Sequence, residues 1–95
     1  MRLVVHCVDK PDALPLRLAH YEAHKAHLAS GQVATVVSGP LLADDGETMV
    51  GSLFIFEADR KEDVVAFNRA DPFARAGVWA TMHIHHFNMR VDNRG

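Results

Sequence analysis

The chain has 95 residues, the length of one domain, and its 48% hydrophobic and 23% charged residues are ordinary for a soluble globular protein. A formal net charge of −2 gives no electrostatic reason to expect nucleic-acid binding, and no apolar run approaches the ~20 residues that span a bilayer. The short first apolar run ends at Asp9-Lys10, unlike a signal peptide, and the single cysteine, Cys7, indicates a reducing compartment. We therefore expect one cytoplasmic domain over residues 1–95, with neither a nucleic-acid nor a membrane partner.

The first third of the chain predicts a strand followed by a long helix. Residues 3–8 form a β-branched run typical of a buried strand, and Asp12 is the predicted N-cap of a helix over about residues 12–30. Gly31 is the predicted stop of that helix. Its expected core-facing residues recur at steps of three and four, with one polar interruption: Leu14, Leu18, Tyr21, Lys25 and Leu28.

The middle of the chain predicts two strands and a second helix. A strand over 33–38 ends at Gly39-Pro40, and a strand over 49–57 contains Gly51, which marks a bulge or a close backbone approach. A helix is predicted from about residue 59 to residue 68. The two strands are separated by an acidic turn, so they are expected to form a hairpin.

The connection from Asp71 to Val78 combines a carboxylate, a proline, an aromatic ring, a guanidinium and a glycine. Pro72 excludes Asp71 from the helical region, so Asp71 is expected to cap the turn that follows, and Gly77 to end it in a left-handed conformation. A long last strand over about 78–91 follows. The residues leave two interpretations of Asp71 open: a cap and nothing more, or a placed acid–base group.

The order strand, helix, strand, strand, helix, strand predicts an α+β ferredoxin-like fold. This fold is a four-stranded antiparallel sheet with both helices on one face. The predicted strands carry apolar residues at nearly consecutive positions, so both faces of the sheet are expected to need cover. A second copy of the chain is the simplest cover for the free face, which predicts a homodimer.

Histidine is the compositional outlier, with seven in the chain. His20, His24 and His27 form one stripe along the first predicted helix, and the first two have the spacing of a two-histidine metal site. No third ligand accompanies that pair, so no metal is expected, and a polar rim on the helix explains the stripe. His6 and His83 lie in strands, where histidines are usually packed and hydrogen-bonded, although each could also line a pocket.

A helical histidine that meets Asp71 would form an acid–base pair. A carboxylate bonded to one imidazole nitrogen fixes the tautomer and raises the basicity of the other nitrogen. No glycine-rich phosphate loop, activated serine motif or candidate nucleophilic cysteine competes with such a pair, and no cofactor is expected. The pattern alone does not decide which of the three helical histidines meets Asp71.

Several segments of the chain together form a recognisable pattern: Asp9-Lys10, His24-Lys25-Ala26-His27-Leu28 with Gly31, Ser38-Gly39-Pro40-Leu41, Asp71-Pro72-Phe73 and Ala76-Gly77-Val78. Through these segments the chain resembles, over nearly its whole length, the YciI-like family of the dimeric α/β-barrel superfamily. The resemblance implies that His24 and Asp71 are the active-site pair, and one relative in that family eliminates chloride from a chlorinated hydroxyquinol.

These features support three hypotheses of function. The first is a cofactor-free isomerase or lyase that acts on a small, largely apolar, cyclic or carbonyl-bearing metabolite. The second is a non-catalytic binding or accessory domain that uses the same pocket, and the third is a metal-binding protein. For the enzyme, Arg17 or Arg75 would hold an anionic substrate group, and the expected pocket beside the sheet is lined by Phe73, Trp79 and either His6 or His83.

Overall fold

The computed structural model describes residues 1–94, and Gly95, the last residue of the predicted domain, lies outside them. No helix within residues 1–94 has the length and apolarity that a membrane crossing requires. The elements, in chain order, are β1 (Arg2–Asp9), α1 (Leu14–Ala19), α2 (Tyr21–Leu28), β2 (Ala34–Leu42), β3 (Met49–Glu57), α3 (Lys61–Arg69), α4 (Pro72–Ala76) and β4 (Trp79–Phe87).

The four strands form one antiparallel sheet in the order β2-β3-β1-β4, which confirms the ferredoxin-like prediction. Side chains alternate between the two faces of each strand, and the buried residues of β1 and β3 point to the same face. The helices cover this face and complete the core, because Phe67 of α3 and Phe73 of α4 pack there. The buried strand residues of this core are Leu3, Val5, Cys7, Phe54 and Phe56.

The predicted first helix is two helices, because the backbone leaves helical geometry at His20. The His20 N–H is shared between the carbonyls of Leu16 and Arg17, at 3.2 and 3.3 Å, as is common at helix ends. The prediction that Asp12 is the N-cap is wrong. Asp12 takes a left-handed conformation with φ 59°, which aspartate tolerates, and Ala13 stands at the cap position without a side-chain bond.

Two predicted strand ends are also wrong. β2 continues through Gly39-Pro40 to Leu42, because β2 lies at the edge of the sheet, where a proline costs no ladder hydrogen bond. β4 ends at Phe87 and not near Val91, because Phe87 is paired with Arg2, the first residue of β1. Beyond that point β4 has no strand to pair with.

Gly51 is a point of close backbone approach, one of the two predicted roles. A Cβ at this position would collide with the backbone carbonyl oxygen of Cys7 on the paired strand. We expect Gly51→Ala to lower the free energy of unfolding by about 1–3 kcal/mol, because the two central strands must move apart. Gly39→Ala is the matched control, since a Cβ there meets nothing within 4 Å. Urea denaturation that gives equal losses for the two variants would contradict the expectation.

Candidate active site

His24 and Asp71 form a buried pair between α2 and the start of α4. Nδ1 of His24 lies 2.7 Å from Oδ2 and 2.9 Å from Oδ1 of Asp71, and the two residues are 6% and 2% exposed. The other two histidines of the helical stripe have different surroundings. His27 bonds through Nε2 to the Phe67 carbonyl at 2.8 Å, and His20 lies at the break between α1 and α2. The structure therefore brings His24, and neither neighbour, to Asp71.

The local sequence around Asp71 explains how a carboxylate is held inside the protein. Oδ1 of Asp71 accepts the N–H of Phe73 at 2.8 Å, and Gly77 ends α4 with φ 81°, so the predicted capped turn is confirmed. Capping and contact with His24 are not alternatives, because one carboxylate makes both sets of bonds. An ionised carboxylate only accepts hydrogen bonds, so Nδ1 carries the hydrogen and the lone pair of the neutral ring is on Nε2.

His24 reaches a cleft of about 410 Å³ between the α1–α2 pair and the strands β2 and β3. Within residues 1–94, Nε2 of His24 has no hydrogen-bond partner, and it keeps some solvent-accessible surface. It therefore meets the open space of the cleft. The remaining walls are mostly apolar, and they include Leu18, Tyr21, Leu28, Pro40, Met49 and Phe54.

Four of the five helical residues that are expected to face the core line this cleft instead, and the fifth, Leu14, lines a separate cleft. Leu18 and Tyr21 are 56% and 44% exposed, whereas Arg17 and His24 turn towards the sheet and are almost fully buried. The core-facing prediction is wrong for Leu18 and Tyr21, because an apolar stripe can line a binding cleft as readily as a core, whereas Leu28 is partly buried against the core. Lys25, the polar interruption in the stripe, also lies on the cleft wall.

Arg17 lies in the same cleft, held by a network of buried bonds. Its Nε and Nη2 donate to the two oxygens of Asp9 at 2.8 and 2.9 Å, and Nη2 also contacts the Gly51 carbonyl at 2.8 Å and Ser52 Oγ at 2.7 Å. Arg17 was a predicted substrate-binding residue, but Asp9 and Ser52 were missed as members of the site. The position of Asp9 at the end of the first strand was the available signal.

Phe73 lies behind the pair, and it does not line the cleft. Its ring is fully buried and stacks on His24 with centroids 4.1 Å apart, and the Arg17 guanidinium carbon lies 4.7 Å from the same ring. Trp79 packs edge-on against Phe73, at 5.9 Å. The two predicted lining residues thus form an aromatic layer beneath the polar groups of the site.

The family model of the YCII-related domain matches residues 1–88. The chain belongs to the YCII-related family. Among solved structures, it is 32% identical to 5-chloro-2-hydroxyhydroquinone dehydrochlorinase (TftG) from Burkholderia phenoliruptrix AC1100, determined in complex with 2,5-dihydroxybenzoquinone. That match covers 93% of this chain and 94% of TftG, with a TM-score of 0.83.

Two more distant structures resemble this YCII-related chain in fold alone. An antibiotic biosynthesis monooxygenase is 12% identical with a TM-score of 0.53, and the match covers 92% of this chain and 97% of that one. A NIPSNAP domain protein from Burkholderia xenovorans is 14% identical with a TM-score of 0.51, and the match covers 98% and 100% of the two chains. No curated protein matches the sequence significantly.

Trp79 reaches the aromatic layer because of an irregularity that the sequence did not reveal. Strict alternation of side chains along β4 would place Trp79 on the same face as His83. The register between β1 and β4 shifts at Val8 and Asp9, so that Thr81 pairs with Val8 while Trp79 pairs with Asp9. The extra residue, Ala80, turns Trp79 to the helix-covered face.

The remaining predicted site residues of the YCII-related chain lie away from the His24 cleft. His6 and His83 are direct partners across β1 and β4, and both are exposed on the sheet face that the helices leave open. Arg75 is exposed beside His20, in a separate shallow cleft of about 360 Å³. The structure does not bring these three predicted binding residues to His24.

Within residues 1–94 of this YCII-related chain, no observation supports metal binding or a nucleophilic cysteine. No group of three histidine, cysteine or acidic side chains has an arrangement that could hold a metal ion. Cys7 is buried, and this burial raises the pKa of its thiol to about 12, so it is not a nucleophile near neutral pH.

Proposed function

We propose that this chain is a cofactor-free acid–base enzyme, an isomerase or lyase, that acts on a small cyclic or carbonyl-bearing molecule. His24 is the group that takes and returns the proton, and Asp71 orients it. The observation that carries this proposal is that the two imidazole nitrogens have different surroundings. Nδ1 is held by a buried carboxylate, and Nε2 faces an open, mostly apolar cleft. A non-catalytic binding domain needs no such difference between the two nitrogens.

The chemistry follows from the protonation state of the ring. Nε2 takes a proton from an acidic C–H or O–H of the substrate, and the electron pair moves into the conjugated carbonyl system. The Asp71 carboxylate stabilises the imidazolium that results. Return of the proton at another atom completes an isomerisation. Loss of a leaving group such as chloride completes an elimination, and Nε2 then passes its proton to solvent. The 32% identity to a dehydrochlorinase supports the second course.

The test is proton exchange followed by product analysis. The protein is incubated in D₂O with 5-chloro-2-hydroxyhydroquinone and with unchlorinated hydroxylated rings and cyclic ketones. We expect NMR to show deuterium uptake at a ring or α-carbon, or chloride release, above the uncatalysed rate. Ligand binding in the cleft without exchange or release for any compound would instead favour the non-catalytic binding domain.

We also propose that the chain is a homodimer through the open face of the sheet. Apolar side chains from three neighbouring strands lie side by side on this face, since Ile55 of β3 is paired with Val4 on one side and Val37 on the other. Phe87 at one edge is 38% exposed. A stable specific dimer buries upward of ~1,200 Å² in total, and a four-stranded face can supply such an area.

Sedimentation velocity tests this assembly. We expect the protein to sediment as a dimer at micromolar concentration, and Ile55→Lys to sediment as a monomer, because a lysine would be buried at the centre of the interface. Val91→Lys is the control, since Val91 is 75% exposed and lies beyond the end of β4. A monomer for the unmodified protein would overturn the proposed dimer, while the proposed active site, which one chain forms, would stand.

A further inference from the structure

Asp9 is a buried carboxylate that the proton transfer does not use. Its side chain and that of Arg17 are 5% and 4% exposed, and the two form a bidentate pair beside the cleft. Burying an ion pair costs desolvation energy that its hydrogen bonds must offset, so the loss of either partner leaves the other charge buried and uncompensated. The Gly51 carbonyl and Ser52 Oγ add two more acceptors to the same guanidinium.

These bonds use one side of the guanidinium and leave the other free. Nε and Nη2 make all the hydrogen bonds of Arg17 within residues 1–94. Nη1 makes no hydrogen bond within these residues, and it keeps some solvent-accessible surface. Arg17 also lines the cleft that His24 reaches. Nη1 is therefore a rigidly held donor with a solvent-accessible surface in the cleft.

We propose that Nη1 of Arg17 is the oxyanion-binding donor of the cleft, and that Asp9 is the positioning residue that fixes its direction and cancels its charge. This proposal rests on the proposed function. When Nε2 of His24 takes the proton, the electron pair that the broken C–H or O–H bond leaves behind moves to a substrate oxygen. Donors held in place before this charge develops stabilise it without reorganisation.

The charge balance then defines the substrate class. With His24 neutral, Arg17 and Asp9 cancel, and Lys25 on the cleft wall is paired with Glu22 at 3.5 Å, so Asp71 leaves the site with a net charge of −1. A carboxylate or phosphate ester would bring its own permanent charge to a site with no excess of positive charge. We infer that the substrate is a neutral carbonyl compound or hydroxylated ring that becomes anionic only during the reaction.

The experiment measures the ionisation of a bound probe, 4-nitrophenol, whose phenolate absorbs at longer wavelength than the phenol. It is carried out in His24→Gln protein, so that no imidazole competes for the proton and no turnover is needed. We expect Arg17→Gln to lower the ratio of bound phenolate to bound phenol by about 10-fold at fixed pH, because a donor and a positive charge are lost. We expect Asp9→Asn to raise the ratio by about 3- to 10-fold, because the Arg17 charge is no longer cancelled, while the asparagine oxygen, the Gly51 carbonyl and Ser52 Oγ still hold the guanidinium in place.

The sign of the Asp9→Asn effect decides the proposal. If Asp9 only maintained the local fold, its loss would loosen Arg17 and change the ratio in the same direction as Arg17→Gln. Asp12→Asn is the matched control, since it removes the same charge from an exposed position three residues away and is expected to leave the ratio unchanged. A lowered or unchanged ratio in Asp9→Asn, or no binding of the probe, would overturn the proposal.

Ser52→Ala keeps the proposal testable if Asp9→Asn does not fold. It removes one of the acceptors that hold Nη2 without changing any charge. We expect a fall in the phenolate ratio smaller than that of Arg17→Gln, and no change would count against a positioned donor. Because this readout does not depend on turnover, it can fail while the His24 chemistry is upheld, and the reverse is also possible.

Discussion

Replacement of His24 with glutamine is expected to reduce turnover ~10²–10⁴-fold, the usual contribution of a placed general acid–base group. Glutamine retains a polar side chain of similar reach, but it has no nitrogen that can accept a proton near neutral pH. The stacking contact of the imidazole on Phe73 and its bonds to Asp71 are also lost. Rates of deuterium uptake or chloride release, measured at saturating substrate, give the size of the loss.

The chain contains its own controls for this substitution. His20→Gln and His27→Gln change the same residue type on the same helical stripe, at positions that do not contact Asp71. We expect near-normal turnover from both, with some loss of stability in His27→Gln because its bond to the Phe67 carbonyl ties α2 to α3. Equal turnover in His24→Gln and His20→Gln would remove His24 from the mechanism.

The parts of the fold that the sequence could predict are those set by local chemistry. Alternating and β-branched runs place the strands, and helical spacing places the helices, so the order of elements follows from residues that are neighbours in sequence. The cap at Asp71 is equally local, since Pro72 excludes the helical region on one side and Gly77 ends the turn on the other. Such features need no knowledge of what packs against them.

The wrong predictions concern features that depend on an element far away in the sequence. The face of Trp79 depends on a register shift against β1, and the end of β4 depends on where β1 begins. The apolar stripe containing Leu18 and Tyr21 is the clearest case, because hydrophobic spacing identifies a face that avoids water without saying whether a core or a ligand covers it. The same spacing therefore predicts core positions for Leu18 and Tyr21, which the structure places on the cleft wall.

The sequence predicts the chemistry of the candidate site but not all of its residues. His20, His24 and His27 are equivalent as a sequence pattern, and the contacts of α2 with α4 single out His24. Asp9 joins the site because Arg17, eight residues later, folds back onto the strand from α1, where it also meets Ser52 from β3. A contact among three elements has no signature within any one of them.

The two roles of Asp71 are separable by substitution, and we expect Asp71→Asn to reduce turnover ~10²–10⁴-fold with little loss of stability. The asparagine oxygen can still accept the Phe73 N–H, so the cap of α4 is retained, because asparagine is as good a cap as aspartate. The amide N–H₂ would donate to Nδ1 of His24, which shifts the hydrogen of the neutral ring to Nε2 and removes the lone pair from the cleft. An uncharged amide would also not stabilise the imidazolium.

Asp71→Ala is the comparison that separates the cap from the orientation of His24. It removes both sets of bonds and leaves the Phe73 N–H and the His24 Nδ1–H unpaired in a buried place, so we expect it to lower the free energy of unfolding by about 1–3 kcal/mol more than Asp71→Asn does. Turnover should fall to a similar level in the two variants. Thermal denaturation and the exchange assay together give the outcome: if Asp71→Asn is as active as the unmodified protein, Asp71 is a cap, and the buried carboxylate no longer supports an enzymatic function.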